Sequence, residues 1–580
     1  MPGPETPVDI EELLNESGGC GRYQILLTLI IHFSKFIVCF TQLFMVFGGA
    51  TPKWRCIEGM SENATLLTNG TDEESCYVTV NGVSKQCEVF SFNDDMNTAV
   101  SQFSLVCGRE WISSTITSIQ MAGIFVGNIA CGQVADLIGR KKPFFGAILT
   151  LVVLNIGTAF SVSWVMFAVF RFLLGVAMGF QLTVQYNLVA EFTLAKWRTW
   201  VVAIPSWAIE SSVFGLVCWA LKDLFWIHIV TAAVGCPFLF TFVPESFRWY
   251  IGHDKTDKAK KIVSRIAEFN GKGPPKSIEL IGGGQLMDKK DRTYHFLDLF
   301  RDRTIRLYTC LLIFVWISLG LTGYGIQFGV PKLSGNLFVN MFVLGLASSP
   351  VQFICIWLQN RLGRKKTTWL FYGLGAVAAF VVATAGRFPD GNGKDWTTNV
   401  FAIIALTLVY AVWSPIQTFT MELYPTVVRN LGYGTQNTMA RIGAIIGPQL
   451  VYLLLNESGG CGRYQILVTL ITHLSKFIVC LTQLFMVFGG ATPKWRCIEG
   501  MSENATYLAN GTDEKSCSVT VNGVSKQCEV FSFNDDMNTA VSQFSLVCDR
   551  EWISSTITSI RMAGIFVDNI ACGRVADLIG

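Results

Sequence analysis

The stretch Gly132-Gln133-Val134-Ala135-Asp136-Leu137-Ile138-Gly139-Arg140-Lys141-Lys142 lies between two apolar runs, roughly Trp111–Val134 and Pro143–Val162. Each run is about as long as the ~20 residues a helix needs to cross a bilayer. The stretch is therefore a tight turn between two spans, and its three adjacent cations put it on the cytoplasmic side. The pattern returns at Leu358-Gln359-Asn360-Arg361-Leu362-Gly363-Arg364-Lys365-Lys366, again between apolar runs. Two copies of one hairpin, far apart in one chain, predict two related halves.

The totals agree. The 580 residues are 51% hydrophobic and 15% charged, with a mean hydropathy of +0.43. That composition excludes a soluble enzyme and predicts a multi-pass membrane protein in contact with lipid bilayer. The net charge of +3 contains no basic block for nucleic acid. Residues 1–22 are expected to be cytoplasmic, with a short helix over Asp9–Asn15 and no cleaved secretory signal. Of eighteen cysteines, four (Cys56, Cys76, Cys87 and Cys107) share a polar segment, 50–110, with the glycosylation sequons at Asn63 and Asn69. Sequons and clustered cysteines imply an oxidising, outward-facing loop with two disulfides in one of three pairings.

Residues 23–243 carry six apolar runs, 244–306 form a charged central loop, and 307–455 carry five more runs. In the central loop Thr256–Phe269 places Ala259, Ile262, Val263 and Ile266 at helical spacing, which predicts an amphipathic helix. The fourth run contains Gly175-x-x-x-Gly179, a small-residue pattern expected to serve close helix packing. The count stops at eleven, and then the chain begins again. Leu454–Gly580 repeats Leu13–Gly139 at an offset of 441, differing at twelve of 127 positions. The copied run Tyr464–Phe488 is placed to serve as a twelfth span. The last copied run has gained Arg561, Asp568 and Arg574, each costing roughly 2.5–3.5 kcal/mol near mid-membrane. Residues 456–580 therefore look like a recent duplication or fusion with no transport role of its own.

No catalytic constellation is present. The five histidines do not pair with Cys or acids at metal spacing, and no Gly-x-x-x-x-Gly-Lys-Ser/Thr loop occurs. No enzyme activity, cofactor or metal is expected, and a coupling ion is unknown. Charge inside apolar spans does stand out, because burying it is expensive. Glu210 lies mid-span in Trp200–Leu221, and Arg441 lies about two turns into Gly434–Leu455.

Gly-x-x-x-Asp-x-x-Gly-Arg-Lys resembles the signature loop of the major facilitator superfamily. Leu137 stands where that loop usually has a cation, and Asn360 stands for the acid in the second copy. Thr51-Pro52-Lys53-Trp54-Arg55-Cys56, Phe103-Ser104-Leu105-Val106-Cys107, Pro244-Glu245-Ser246-Phe247-Arg248-Trp249 and Glu422-x-Tyr-Pro-Thr-x-x-Arg429 together resemble the animal organic ion transporters, over about Asp9–Leu455. The resemblance implies an all-α fold of two six-helix bundles, here with the second lacking its own twelfth span. It implies alternating access at the plasma membrane, with a small organic ion as substrate. It assigns an inner gate to Gly132, Asp136, Gly139, Arg140, Arg171, Glu191, Arg198, Gly363, Arg364, Glu422 and Arg429, with Asp136 near the positive end of the eleventh helix. In that family anion and carnitine carriers have Arg in the eleventh span in a Ser-Thr-x-x-Arg-x-Gly context, and this chain reads Asn437-Thr438-Met439-Ala440-Arg441-Ile442-Gly443. Arg441 therefore points to a carboxylate or sulfate on the cargo, beside Glu210 and an aromatic wall of Trp316, Tyr324 and Phe328. The expectation is a carrier of small organic anions or zwitterions. Its rivals are an organic cation carrier, a sugar porter, or a non-transporting membrane glycoprotein.

Overall fold

The computed structural model describes, with short gaps, residues 10–58, 65–66, 76–194, 197, 206–275, 296–385, 392–424 and 428–457, and five strands within 495–533. The chain forms two compact units, Met1–Thr472 and His473–Gly580.

In the first unit the apolar runs become helices joined by short turns. The first half holds Arg22–Gly48, Trp111–Ile138, Lys141–Ala159, Trp164–Phe192, Ser206–Leu221 and Leu224–Gly235, the last prolonged by a 3-10 turn to Phe240. The second half holds Arg303–Gly329, Leu337–Leu362, Arg364–Ala385, the pair Asn392–Ala411 and Trp413–Leu423, and Arg429–Glu457. The tenth span, expected as one helix, is thus broken at Val412. Pro415 in the first turn of the second piece has no N–H to return to Ala411, so the helix cannot run through. Among the described residues seven helices are long and apolar enough to cross a membrane. The eleventh, Arg429–Glu457, is not one of the seven, because Gln436, Asn437 and Arg441 dilute it. A span with a polar face of this kind lines protein or water rather than lipid.

The Gly-x-x-x-Gly pattern serves packing. The second and fourth spans meet backbone to backbone at Gly123 and Gly127 against Gly175 and Gly179. A Cβ on Gly127 would run into the Val176 carbonyl, and one on Gly175 into that of Gln120. Small residues permit this approach. The two halves meet where the second span packs on the eleventh and the fifth on the eighth.

Outside the bundle, Trp54–Glu58 pairs antiparallel with Thr65–Leu66 and with Phe90–Phe92. Tyr77–Val80 and Val83–Gln86 form a hairpin. A disulfide joins Cys76 to Cys107, and Cys87 is also disulfide-bonded. The Cys56 side chain, Asn63 and Asn69 lie outside the described residues. Asn97 ties this segment to the turn between the fifth and sixth spans, donating 3.0 Å to Asp223. On the opposite side the helix Thr256–Phe269 forms as its periodicity predicts. It buries Ala259, Val263 and Ile266 with Leu13 and Leu14 of the helix Ile10–Glu16 in one core. The second unit repeats the strand pairings: Trp495–Glu499 with Thr506–Tyr507 and Phe531–Phe533, and Ser518–Val521 with Val524–Gln527. The copied apolar runs lie outside the described residues.

Candidate functional site

Both basic hairpins fold alike. Gly139 and Gly363 end their helices at φ +94° and +85°, a region that favours glycine. The arginine that follows each one turns back onto the helix just left. Arg140 donates 2.7 Å to the Ala135 carbonyl, and Arg364 donates 3.2 Å to the Gln359 carbonyl. Each then reaches a glutamate at the end of a later span. Arg140 Nε stands 3.1 Å from Glu191, and Arg364 Nη2 stands 2.6 Å from Glu422. Arg140 also meets Asp136 at 2.9 Å.

The first hairpin has a further clamp that sequence reasoning missed. Glu245 accepts from the backbone N–H of Arg140 at 2.6 Å and of Lys141 at 3.2 Å, where a helix N-terminus favours an anion. A Cβ on Gly139 would overlap this carboxylate. Arg248 donates 3.0 Å to the Glu191 carbonyl, and Trp249 Nε1 donates 2.8 Å to that of Asp136. The motif Pro244–Trp249 was visible in the chain, but nothing in its spacing tells which backbone it would bind.

One expected gate residue, Arg171, is placed away from the inner face. Arg171 is fully buried about 10 Å inside the outer end of the fourth span. There it donates to the Thr41 carbonyl at 2.9 Å, sits 3.3 Å from His228 Nε2 and lies over the Phe44 ring. It is part of the core of the first half, not of the inner face. The Asp136 carboxylate is 74% exposed and turned to Arg140. Its expected partner, the first turn of the eleventh span, starts at Arg429, whose side chain lies outside the described residues, as does Arg198. Gly132 is exposed, and a Cβ there would meet open space.

Between the halves lies a cavity enclosing about 200 Å³. The first half contributes Lys35, Tyr186 and Trp207, and the second Tyr324, Trp413 and Arg441. Arg441 is 5% exposed. One guanidinium nitrogen donates to the Tyr324 hydroxyl, while Nε has no hydrogen-bond partner. Among the described residues no carboxylate pairs with it. Lys35 differs: its ammonium donates 2.7 Å to Ser206 and stands 3.9 Å from the Glu210 carboxylate.

Of the residues expected around the cargo, Arg441 and Tyr324 line the cavity, and Glu210, Trp316 and Phe328 do not. Glu210 stands behind Lys35. Trp316 is buried one row back, donating 3.0 Å to Thr420 and meeting Trp413 edge to face at 5.8 Å. Phe328 stacks on Tyr324 at 6.5 Å without lining the cavity. Sequence reasoning missed Lys35 and Trp413. Lys35 carried the same signal as Glu210, a lone charge midway along an apolar run. Trp413 had no signal, since one tryptophan in an aromatic-rich chain is ordinary.

The cavity is sealed on one side. One buried cluster joins Phe47, Ile116 and Phe214 of the first half to Val330, Met341 and Leu406 of the second, toward the outer ends of the spans. Two hydrogen bonds also cross between halves there, Ser118 Oγ to the Ile445 carbonyl at 2.7 Å and Gln449 Nε2 to Thr115 at 3.0 Å. At the inner face the ion pairs among the described residues stay within a half: Arg140 with Glu191, Arg364 with Glu422. Among the described residues no cluster of His, Cys, Asp and Glu has the grouping of a metal site.

The family described as "Sugar (and other) transporter" matches residues 75–489, ending one residue past the copied run Tyr464–Phe488. The chain is 28% identical over 376 residues to organic cation/carnitine transporter 2 of Rattus norvegicus, covering 63% of this chain and 66% of that protein. It is 26% identical over 483 residues to solute carrier family 22 member 6-B of Xenopus laevis, covering 76% and 86%. Among solved structures, an inward open conformation of the xylose transporter XylE from E. coli aligns with a TM-score of 0.52 at 13% identity, covering 80% of this chain and 96% of that one. At that identity the likeness concerns the fold alone.

Proposed function

The chain belongs to the sugar (and other) transporter family, and we propose that within it the protein carries small organic anions or zwitterions across the plasma membrane by alternating access. It is a multi-pass membrane transporter, not an enzyme. The observation that carries the cargo class is the charge balance of the cavity. Lys35 has Glu210 beside it, whereas Arg441 is buried with an unpartnered Nε and, among the described residues, no carboxylate. An isolated buried cation is strongly unfavourable, so an anionic cargo group that supplies the missing partner binds well. A guanidinium grips a carboxylate or sulfate with two parallel hydrogen bonds. Tyr324 holds the guanidinium in place, and Trp413 gives the cavity an apolar wall for the rest of the cargo. The relatives named for carnitine transport favour a zwitterion among the candidates.

Alternating access rests on the one-sided seal. The outer cluster closes the cavity to the exterior, and the inner hairpins are latched within their own halves, which leaves the halves free to part on the cytoplasmic side. A plasma-membrane location accords with the disulfide-bonded outer segment.

The test is an uptake screen in vesicles with labelled organic anions, zwitterions, cations and sugars under sodium, proton and counter-anion gradients. The expected result is saturable anion or zwitterion uptake, competed by other organic anions and not by sugars. Uptake restricted to cations or to sugars would overturn the proposed cargo. Absence of any uptake with normal surface expression would make the protein a non-transporting membrane glycoprotein.

A further inference from the structure

The Lys35–Glu210 pair lies at the edge of the cavity in an unusual way. Lys35 lines the cavity, while Glu210, fully buried, stands behind it. The separation is 3.9 Å, longer than a charge-assisted hydrogen bond. The hydroxyl beside the Glu210 carboxylate is that of Ser206, and neither carboxylate oxygen makes a hydrogen bond of good geometry. Lys35 gives its short bond to Ser206 at 2.7 Å, and Ser206 is also 3.1 Å from His32 Nδ1. Among the described residues the carboxylate therefore has one cation as its counter-charge, and that cation shares the cavity with Arg441.

We propose that the pair couples transport to protons: an anionic cargo group seated at Arg441 also draws Lys35 away from Glu210, and Glu210 then binds a proton. The inference rests on the anion-carrier reading above. The physics is that of a buried charge losing its partner. A carboxylate that has lost its counter-charge in a low-dielectric site takes up a proton in preference to remaining charged.

The step balances. The cargo carboxylate, gripped by Arg441, also pairs with the Lys35 ammonium that lines the same cavity, and one proton from the aqueous side converts the Glu210 carboxylate to the carboxylic acid. When the cargo leaves on the other side, Lys35 returns to Glu210 and the proton is released there. One anion and one proton cross together, with no net charge moved. Ionisable side chains face the pair from both halves, the second bringing Tyr324, Tyr410 and Arg441 across the cavity. The first span brings His32 and Cys39, and the fourth brings Tyr186, whose ring is 5.9 Å from the Lys35 ammonium. The eighth span, packed on the other side of the fifth, has no ionisable side chain between Leu337 and Ile354. On the sixth, His228 is engaged elsewhere, with Arg171 and with Asn155 at 3.0 Å.

The test uses the full chain in vesicles loaded with a pH-sensitive dye. A labelled anion found by the screen above is supplied outside, with and without a pH difference. The expected result is about one proton entering per anion, and an accumulation that grows by about tenfold per unit of inward pH difference. Glu210→Gln should abolish proton entry and the pH response while keeping exchange of labelled for unlabelled anion. Glu210→Asp should keep both. Wild-type anion uptake with no accompanying proton sinks this inference and leaves the anion-carrier reading intact. So does proton entry that survives in Glu210→Gln. Absence of anion uptake in the wild type instead overturns the reading on which the inference rests. If Glu210→Gln does not reach the membrane, the wild-type proton count decides.

Discussion

The hairpins at 139–142 and 363–366 are built from the same parts, yet they are held differently. Both use a glycine at positive φ, an arginine folded back onto the preceding helix, and a glutamate from a later span. At the first, the Arg140 and Glu191 side chains are only 15% and 18% exposed, Asp136 adds a second carboxylate and Glu245 clamps the backbone. At the second, Arg364 and Glu422 are 30% and 50% exposed, and Asn360 stands where the second carboxylate would be. An ion pair gains weight when it is shielded from water and tied into a network, and exposed pairs contribute ~0–1 kcal/mol. The two hairpins therefore share a shape and differ in strength.

Removing the arginine gives the widest separation. Arg140→Ala leaves Glu191 with its charge half-buried and unpaired, and should destabilise the folded state by roughly 2–3 kcal/mol. Arg364→Ala should cost about 1 kcal/mol or less. Thermal unfolding in detergent and surface abundance in cells measure both, and equal losses would erase the distinction. The clamp comes next. Glu245→Gln removes the negative charge at the start of the third span and should cost about 1–2 kcal/mol. No carboxylate among the described residues clamps the second hairpin in this way, so this loss has no counterpart there. The smallest effect is expected from Asn360→Asp, which gives the second hairpin the carboxylate of the first. It should raise stability by at most about 0.5 kcal/mol. A larger gain would mean that Arg364 is more shielded than its exposure indicates.

The fold was legible because membrane helices announce themselves by length and hydropathy. The basic hairpins also carry their orientation and their repetition in the sequence. The break at Val412 was not read, although Pro415 held the clue, since a proline can equally begin a helix as interrupt one. For the cavity, the guiding rule of charge inside apolar runs found Arg441 and Glu210. It passed over Lys35, the cation that lies between Glu210 and the open space. Trp316 was expected at the wall because aromatic identity carries no information on rank. Only packing places Trp413 in front of it. Arg171 was grouped with the inner gate through the family pattern, and counting helical turns from the outer end would already have placed it elsewhere.

The central claim is that Arg441 is the charge partner of the cargo. Initial-rate uptake of labelled organic anions by Arg441→Asp, at surface abundance matched to the wild type, tests it most directly. Anion uptake should fall to background, because the cavity then offers a carboxylate where the cargo brings another. Anion uptake at the wild-type rate would contradict the account.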